Sequence, residues 1–307
     1  MKIAKPFLKW AGGKRQLITD IEKALPKKFL SEKFTYIEPF VGSGAVLFWI
    51  LNNFPKVEKA IINDINSDLT NSYSIIANKP YELISILTQF QNEYHDLEIS
   101  NDLKKEYYYE KRVLFNGRKT DKVTQAALFI FLNRTCFNGL FRVNKNNGFN
   151  VPIGSYKKPT ICDSENLLAV SEALKKVEIL TGDYQQTIDY AEKPAFFYFD
   201  PPYKPLNKTS SFNSYAKEEF NDDEQIRLSI FCKKLDSLKH FWMLSNSDLK
   251  GNVENETFFE DIYDDFNINS VLAKRMINAN PLKRGELKES LITNYSNSDH
   301  ILKAIKI

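Results

Sequence analysis

Apolar positions in this chain cluster in two ways. Some form short unbroken runs that close on an acid, a glycine or a proline. Others recur at every third or fourth residue. The first kind predicts strands buried on both faces, the second helices that bury one side. The most pronounced run is Ala195-Phe196-Phe197-Tyr198-Phe199, which leads into Asp200-Pro201-Pro202-Tyr203. Prolines cannot donate to a strand ladder, so the strand must stop there and leave Asp200 and Tyr203 just beyond its carboxyl end. Further strands are predicted at Tyr36-Ile37-Glu38, Lys59 to Asp64, Val177 to Thr181, Phe241 to Asn246 and Ser290 to Tyr295. Helical spacing follows Lys14 (Leu17, Ile18, Ile21, Leu25), and recurs from Asn66 to Ile76, over most of Ser67 to Lys122, from Gln125 to Asn133 and from Asp222 to Leu238. Phe141 to Lys145 and Phe149 to Ile153 bracket Asn146-Asn147-Gly148, a hairpin signal that puts Gly148 at the position of positive φ. Pro205 to Tyr215 is polar and reads as a mobile loop over the site, and Lys274 to Glu286 as a basic loop. The order predicts an α/β protein with a parallel sheet, interrupted by a mostly helical stretch.

Composition narrows the class. A chain of 307 residues with 43% hydrophobic and 26% charged residues can bury a large core, so disorder is excluded. No apolar run approaches the roughly 18 residues of a membrane span, and Lys2 and Lys5 lead into no signal-peptide core. Cys136, Cys162 and Cys232 are odd in number with no CxxC, which predicts reduced core thiols in a cytoplasmic protein. His95, His240 and His300 have no metal-ligand spacing, so no metal is expected, and a zinc deaminase is excluded for want of its histidine-glutamate and cysteine motifs. The net charge of +3 hides an asymmetry. Lys104 to Pro159 holds twelve Lys and Arg against three Asp and Glu; the remainder holds 30 against 36. A basic segment on a slightly acidic remainder is the pattern of a protein one part of which meets phosphates.

The strand ends carry the candidate chemistry. At the carboxyl edge of an open α/β sheet, Asp200 can accept from an amino group, the rigid X-Pro backbone holds a carbonyl beside it, and Tyr203 offers a flat face. The set suits the exocyclic amine of a planar base. Gly42-Ser43-Gly44 lets backbone approach a ligand closely, but a dinucleotide fingerprint would need Gly where Leu47 stands, which argues for a nucleoside ligand without a pyrophosphate. Asp64, 22 residues after Gly42, is placed either for ribose hydroxyls or to cap the next helix. Asp183 likewise either bonds a cofactor adenine or caps a helix. Trp10-Ala11-Gly12-Gly13-Lys14 is no phosphate-binding P-loop, since position 8 is Leu and position 15 is Arg. It is a glycine turn before a helix, or a loop whose Trp face and Lys amine hold an anionic, ring-bearing ligand.

The ordered set FLKWAGGKR, IEPFVGSGAV, NDIN, LNRxxxNGLFRVN, FNVPxGxYKKP, DPPY and RxIN…RG…ESLITNY resembles the Dam-like DNA adenine-N6 methyltransferases (D12 class, α group), those acting on GATC above all, from Lys5 to Tyr295. The resemblance implies a Rossmann-like catalytic domain (1–66 and 163–307) with an inserted helical target-recognition domain (67–162) that carries the β-hairpin. It implies S-adenosylmethionine as methyl donor, bound by Trp10, Lys14 and Asp64, with Gly42 and Gly44 under it and Asp200 close by; Asp183, from its place at a strand end, is a further candidate for the cofactor. Asp200, Pro201 and Tyr203 become the catalytic set, acting on an adenine flipped out of double-stranded DNA, with direct displacement. Lys9, Leu140, Arg142 and Pro152 would read GATC, and Arg134, Asn138 and Lys157 would add contacts. Phe137 stands where Tyr is frequent and can still wedge beside the flipped base; Ser155 stands where some relatives carry Arg. No Cys adjoins a proline as a cytosine-C5 enzyme requires. Rival readings are the same chemistry at another sequence, an RNA or protein-amide methyltransferase, and a DNA-binding regulator without catalysis. A cognate restriction endonuclease encoded nearby is left open.

Overall fold

The computed structural model describes residues 3–10, 14–97, 100–204, 220–249, 256–274 and 286–296. The Gly12-Gly13 turn, the polar stretch from Pro205 and positions 275–285 of the basic loop lie outside them. Seven strands form one sheet in the order β3-β2-β1-β4-β5-β7-β6. They are β1 (Phe34–Glu38), β2 (Val57–Asp64), β3 (Val177–Thr181), β4 (Ala195–Phe199), β5 (Phe241–Ser247), β6 (Asn267–Lys274) and β7 (Glu286–Thr293). β1 to β5 pair in parallel, and β7 runs antiparallel to both β5 and β6. The direction of progression reverses between β1 and β4, where Tyr36 faces Phe196. That crevice is the switch point at which open α/β sheets bind ligands. The fold is thus the expected Rossmann-like α/β class. β6 was not foreseen: Asn267-Ile268-Asn269-Ser270 alternates polar and apolar residues too weakly to stand out, and pairing with β7 makes it a strand.

Both faces of the sheet are buried, which is why its strands are continuous apolar runs. β4 is buried at all five positions, Phe196 and Tyr198 facing one core, Phe197 and Phe199 the other. The first core continues without a break from the sheet into the helices between β2 and β3: α3 (Ser67–Asn78), α4 (Pro80–Asp96), α5 (Asn101–Gly117), α6 (Lys122–Thr135) and α7 (Ser164–Ala173). α6 is apolar nearly all round because α3, α4 and α5 pack about it. Asn66, Ser100, Asp121 and Asp163 cap α3, α5, α6 and α7 with their side chains. α1 (Ile18–Ala24), α2 (Ala45–Asn53), α8 (Asp222–Ser237) and α9 (Phe258–Ile262) complete the fold. No described helix is long and apolar enough to cross a membrane.

The expected hairpin differs in detail. Val143 and Phe149 form one isolated antiparallel bridge, with Asn144 N donating to Gly148 O at 2.9 Å and Asn150 N to Arg142 O at 3.1 Å. The positive φ falls on Asn147 (59°), not on Gly148. Asn144 Oδ1 accepts from the N–H groups of Asn146 and Gly148, both at 2.9 Å, and this side-chain turn replaces the backbone turn assumed from sequence. A Cβ on Gly148 would stand 3.3 Å from the Asn144 amide, so close approach accounts for the glycine.

Candidate active site

The strand ends meet at the carboxyl edge of the sheet. Asp200, half-buried, leaves β4 beside Lys14, whose Nζ stands 3.0 Å from its Oδ1. Lys14 is nearly enclosed, with a side chain 7% exposed. Its ammonium also donates to the Tyr203 hydroxyl, lies 3.9 Å from the centre of the Tyr203 ring, and stands 3.6 Å from Glu289 Oε2. Tyr203 in turn donates to Glu289 at 2.7 Å. Ser245 Oγ on β5 reaches Asp200 Oδ1 at 3.3 Å and is bonded to Tyr198 OH at 3.0 Å. Lys14 and Ser245 therefore both hold the same oxygen of Asp200. Burial pushes the Asp200 carboxyl up to about 6, against the pull of Lys14, with Glu289 adding to the rise. Pro201 is buried, and Pro202 O accepts from Gln225 Nε2 at 3.0 Å. Asn246 holds that glutamine at 3.2 Å, and Ser247 Oγ donates to Lys204 O at 3.0 Å. α8 and β5 thus fix the backbone of the Asp-Pro-Pro-Tyr turn.

The glycine turn lies against β2. Gly42 and Gly44 have φ of 48° and 72°, the left-handed region that favours glycine. A Cβ at Gly44 would stand 2.6 Å from the Tyr73 hydroxyl. Asp64 accepts from Gly42 N at 3.1 Å and from Asn66 N at 2.9 Å. The cap of α3 is Asn66, so of the two roles open to Asp64 the cap falls to its neighbour. Burial raises Asp64 to about 6, and three backbone N–H groups hold it from going higher. Ile65 beside it is 58% exposed. Asp183 caps the turn after β3 through Gln185 N at 2.9 Å and pairs with Arg227. Its carboxylate is committed to capping, one of the two alternatives.

A second group forms around the N-terminal segment. The Asn133 side chain, 1% exposed, accepts from Lys9 N at 2.8 Å and donates to Lys9 O at 2.7 Å and Gly139 O at 3.0 Å. This ties the Lys9 backbone to the turn that holds Phe137, Asn138 and Leu140. Phe137 is 49% exposed, Asn138 is exposed with φ 55°, and Leu140 is half-buried. Pro152 O accepts from Phe137 N at 2.9 Å, placing exposed Pro152 on the same face. Lys9 Nζ lies 3.8 Å over the Tyr156 ring. Arg142 is exposed, and Asn150 Oδ1 accepts from its Nε at 2.8 Å. Lys157 is exposed, with its carbonyl held by buried Lys104 at 2.8 Å. Trp10 bridges the two groups: it stacks on Phe141 at 5.8 Å, and a Cβ on Gly42 would stand 3.2 Å from its Nε1.

The structure separates Arg134 from this face. Its guanidinium lies among Phe7, Ile130, Ile161, Asp163, Asn166 and Leu167, with Nε buried and unpartnered among the described residues, and burial lowers its pKa. The reason is helical phase: Asn133 faces the turn at Gly139, so the next residue is rotated toward α7. Ser245, Gln225 and Glu289 were not singled out from sequence. Only Glu289 carried a signal, as the acid of ESLITNY.

The family model of the D12 class N6 adenine-specific DNA methyltransferases matches residues 10–277. The chain is 50% identical over 295 residues to the type II methyltransferase M.MjaIII of Methanocaldococcus jannaschii, covering 95% of this chain and 99% of that one. It is 40% identical to the type II methyltransferase M1.LlaDCHI of Lactococcus lactis subsp. cremoris, covering 95% and 96%. It is 37% identical to a DNA adenine methylase of Haemophilus influenzae, covering 93% and 92%.

Proposed function

This chain belongs to the D12 class N6 adenine-specific DNA methyltransferases, and on that premise we propose that it methylates adenine N6 at GATC in duplex DNA, with S-adenosylmethionine as donor. The observation that carries the reading is the Asp200 carboxylate, fixed at the end of β4 with one oxygen held by Lys14 and Ser245 and the Tyr203 ring beside it. A carboxylate so held accepts from an exocyclic amine, and a ring so placed stacks on the base that bears it. The residues at the sheet edge suit the donor: side-chain-free turns at Gly42 and Gly44, the Asp64 carboxylate and the exposed apolar Ile65 surround one end of the crevice. When bound, S-adenosylmethionine supplies an electrophilic methyl group. Trp10, Lys14, Asp64 and the glycine turn hold it; Asp183, committed to Gln185 and Arg227, contributes by its place at the end of β3.

An amine inside a duplex is out of reach of such a pocket, so the base is flipped, at a cost of about a few kcal/mol. Phe137, exposed beside the recognition turn, fills the gap. Asp200 and the Pro201 carbonyl accept from N6–H and aim the nitrogen lone pair, and the gain comes mainly from proximity and orientation. Lys9, Leu140, Arg142 and Pro152 share the face that reads the site, Asn138 lies beside them, and Lys157 supplies phosphate contact. Residues 67–162 act as the recognition unit and the remainder as the catalytic unit. A cytoplasmic setting agrees with three free cysteines. The names of two relatives as type II methyltransferases support a restriction-modification setting with a partner endonuclease.

The test is transfer of labelled methyl groups to duplexes that differ only in one GATC, with a pre-methylated GATC duplex as control. Label on the unmethylated GATC duplex alone is expected. Label on every unmethylated duplex would overturn the recognition face, and none at all would return the regulator. Asp200→Ala should abolish transfer and leave DNA binding within about twofold.

A further inference from the structure

The two arms of the hairpin alternate in burial. Phe141 and Val143 are buried and Arg142 between them is exposed; Phe149 and Val151 are buried and Asn150 between them is half-buried. Successive side chains of an extended segment point to opposite faces, so Leu140, Arg142, Asn150 and Pro152 fall on the outer face. The proposed function gives three of the four to DNA. Asn150 is the fourth, and it stands across from Arg142: Val143 bridges Phe149, and Asn150 N donates to Arg142 O at 3.1 Å.

The two side chains also meet. Asn150 Oδ1 accepts from Arg142 Nε at 2.8 Å. A guanidinium carries five N–H donors, one on Nε and four on the two Nη atoms. Asn150 takes the Nε donor, which leaves the two Nη atoms as a fork of the kind that spans guanine O6 and N7. An amide orients the arginine without neutralising it, so its whole charge is kept for the DNA. A carboxylate in that place would offset the charge and repel the phosphates.

Asn150 is itself held by a helix. Tyr108, Arg112 and Asn116 are four positions apart and share one face of α5. Asn116 pairs with both backbone groups of Phe149, accepting from N at 2.8 Å and donating to O at 3.0 Å. Tyr108 OH and Arg112 Nη1 donate to Val151 O at 2.9 Å and 3.4 Å. The backbone is thus fastened on either side of Asn150, and α5 packs on α6. An exposed arginine loses side-chain freedom when it binds; here part of that loss is already taken when the hairpin folds. Resting on the reading above, we propose that Asn150 is a positioning residue for sequence specificity, which presets the Arg142 fork for the guanine of an outer G·C pair of GATC. Its effect falls on discrimination between sequences and not on affinity for duplex DNA in general.

The test is a double-mutant cycle of Asn150→Ala and Arg142→Ala. Fluorescence anisotropy at several salt concentrations reads Kd on a GATC duplex and on duplexes with one outer G·C pair changed to A·T. Asn150→Ala should lower the ratio of the two affinities about three- to tenfold, the cost of ordering one long side chain. It should leave the affinity for the changed duplexes within about twofold and the salt slope unaltered, and should add nothing in the Arg142→Ala background. Asn150→Asp keeps an oxygen acceptor, so it should preserve the ratio while weakening binding to every duplex alike. That rescue, with melting temperatures within a few degrees of wild type, separates positioning from a disturbed hairpin. A loss of discrimination that persists in the Arg142→Ala background would show that Asn150 touches a base itself. Weaker binding of Asn150→Ala to all duplexes, with a shallower salt slope, would make it a phosphate contact; either result overturns the proposal. If Arg142→Ala leaves the ratio unchanged, the reading of Arg142 fails and this inference with it. If Arg142→Ala narrows the ratio and Asn150→Ala does not, only this inference falls.

Discussion

Asp200 and Asp64 are carboxylates brought to the edge of a buried sheet, and burial raises both to about 6. Two consequences follow for pH. Asp200 must be ionised to accept from the amine and from Lys14, so kcat/KM should fall as pH drops through about 6, and a pH–rate profile at subsaturating DNA checks it. Stability runs the other way. The folded state binds more protons than the unfolded chain between about pH 4 and 6, so this contribution is fully present below the ordinary aspartate range and is lost as pH rises through 6. A shift of about two units corresponds to roughly 3 kcal/mol. Asp200→Asn should therefore gain up to about that much relative to wild type between pH 4 and pH 7, measured by denaturant unfolding at each pH. The acid, the prolines and the tyrosine of this site were legible because they end one unmistakable strand. Lys14 was legible as a cation by a glycine turn, but not as the partner of Asp200, because 186 positions of chain separate them.

At the scale of elements, α6 does two jobs. Its apolar circumference fills the centre of the helical layer, and its last turn presents Asn133 to both Lys9 and Gly139. Asn133→Ala takes the partner from the Lys9 N–H and from the Lys9 and Gly139 carbonyls, and should cost about 2–4 kcal/mol. Because it also frees the Lys9 backbone from the turn that holds Leu140, which the proposed function assigns to DNA, it should weaken DNA binding beyond what the loss of stability explains. Unfolding curves and duplex titration separate the two effects. The same helix shows why Arg134 stands apart from Asn133: the LNR triplet reads as one motif along the chain, yet adjacent helix positions point about 100° apart. The hairpin shows the converse. Its turn composition was right, but which residue takes the positive φ depended on the Asn144 side chain closing over the loop.

Over the whole molecule, the basic segment matters more than the net charge. Lys157 is tied to α5 through Lys104, Lys9 to α6 through Asn133, and exposed Arg142 is held by Asn150, while the sequence outside the basic segment is slightly acidic. Lys157→Ala should weaken binding to all duplexes alike and reduce the slope of log affinity against log salt by about 1. Arg142→Ala should cost roughly 1–3 kcal/mol on GATC and much less on other sequences, narrowing the specificity ratio. Fluorescence anisotropy at several salt concentrations reads both. Trp10 lies between the glycine turn and Phe141 and touches both.

Local chemistry along the chain was sufficient for six of the seven strands, the place of Asp200 just past a strand end, the glycine turn, and the helical character and charge of the stretch after β2. Each of these is written in a few consecutive residues, by apolar runs, by proline and glycine backbone limits and by charge density. Only the fold decided that Lys14 sits on Asp200, that Ser245 and Glu289 support it from β5 and β7, that Asp183 is a cap and that Arg134 turns inward. Those facts depend on which strands lie side by side and in what register, and on helical phase. Register is set by packing of the whole sheet, so no short stretch of sequence contains it.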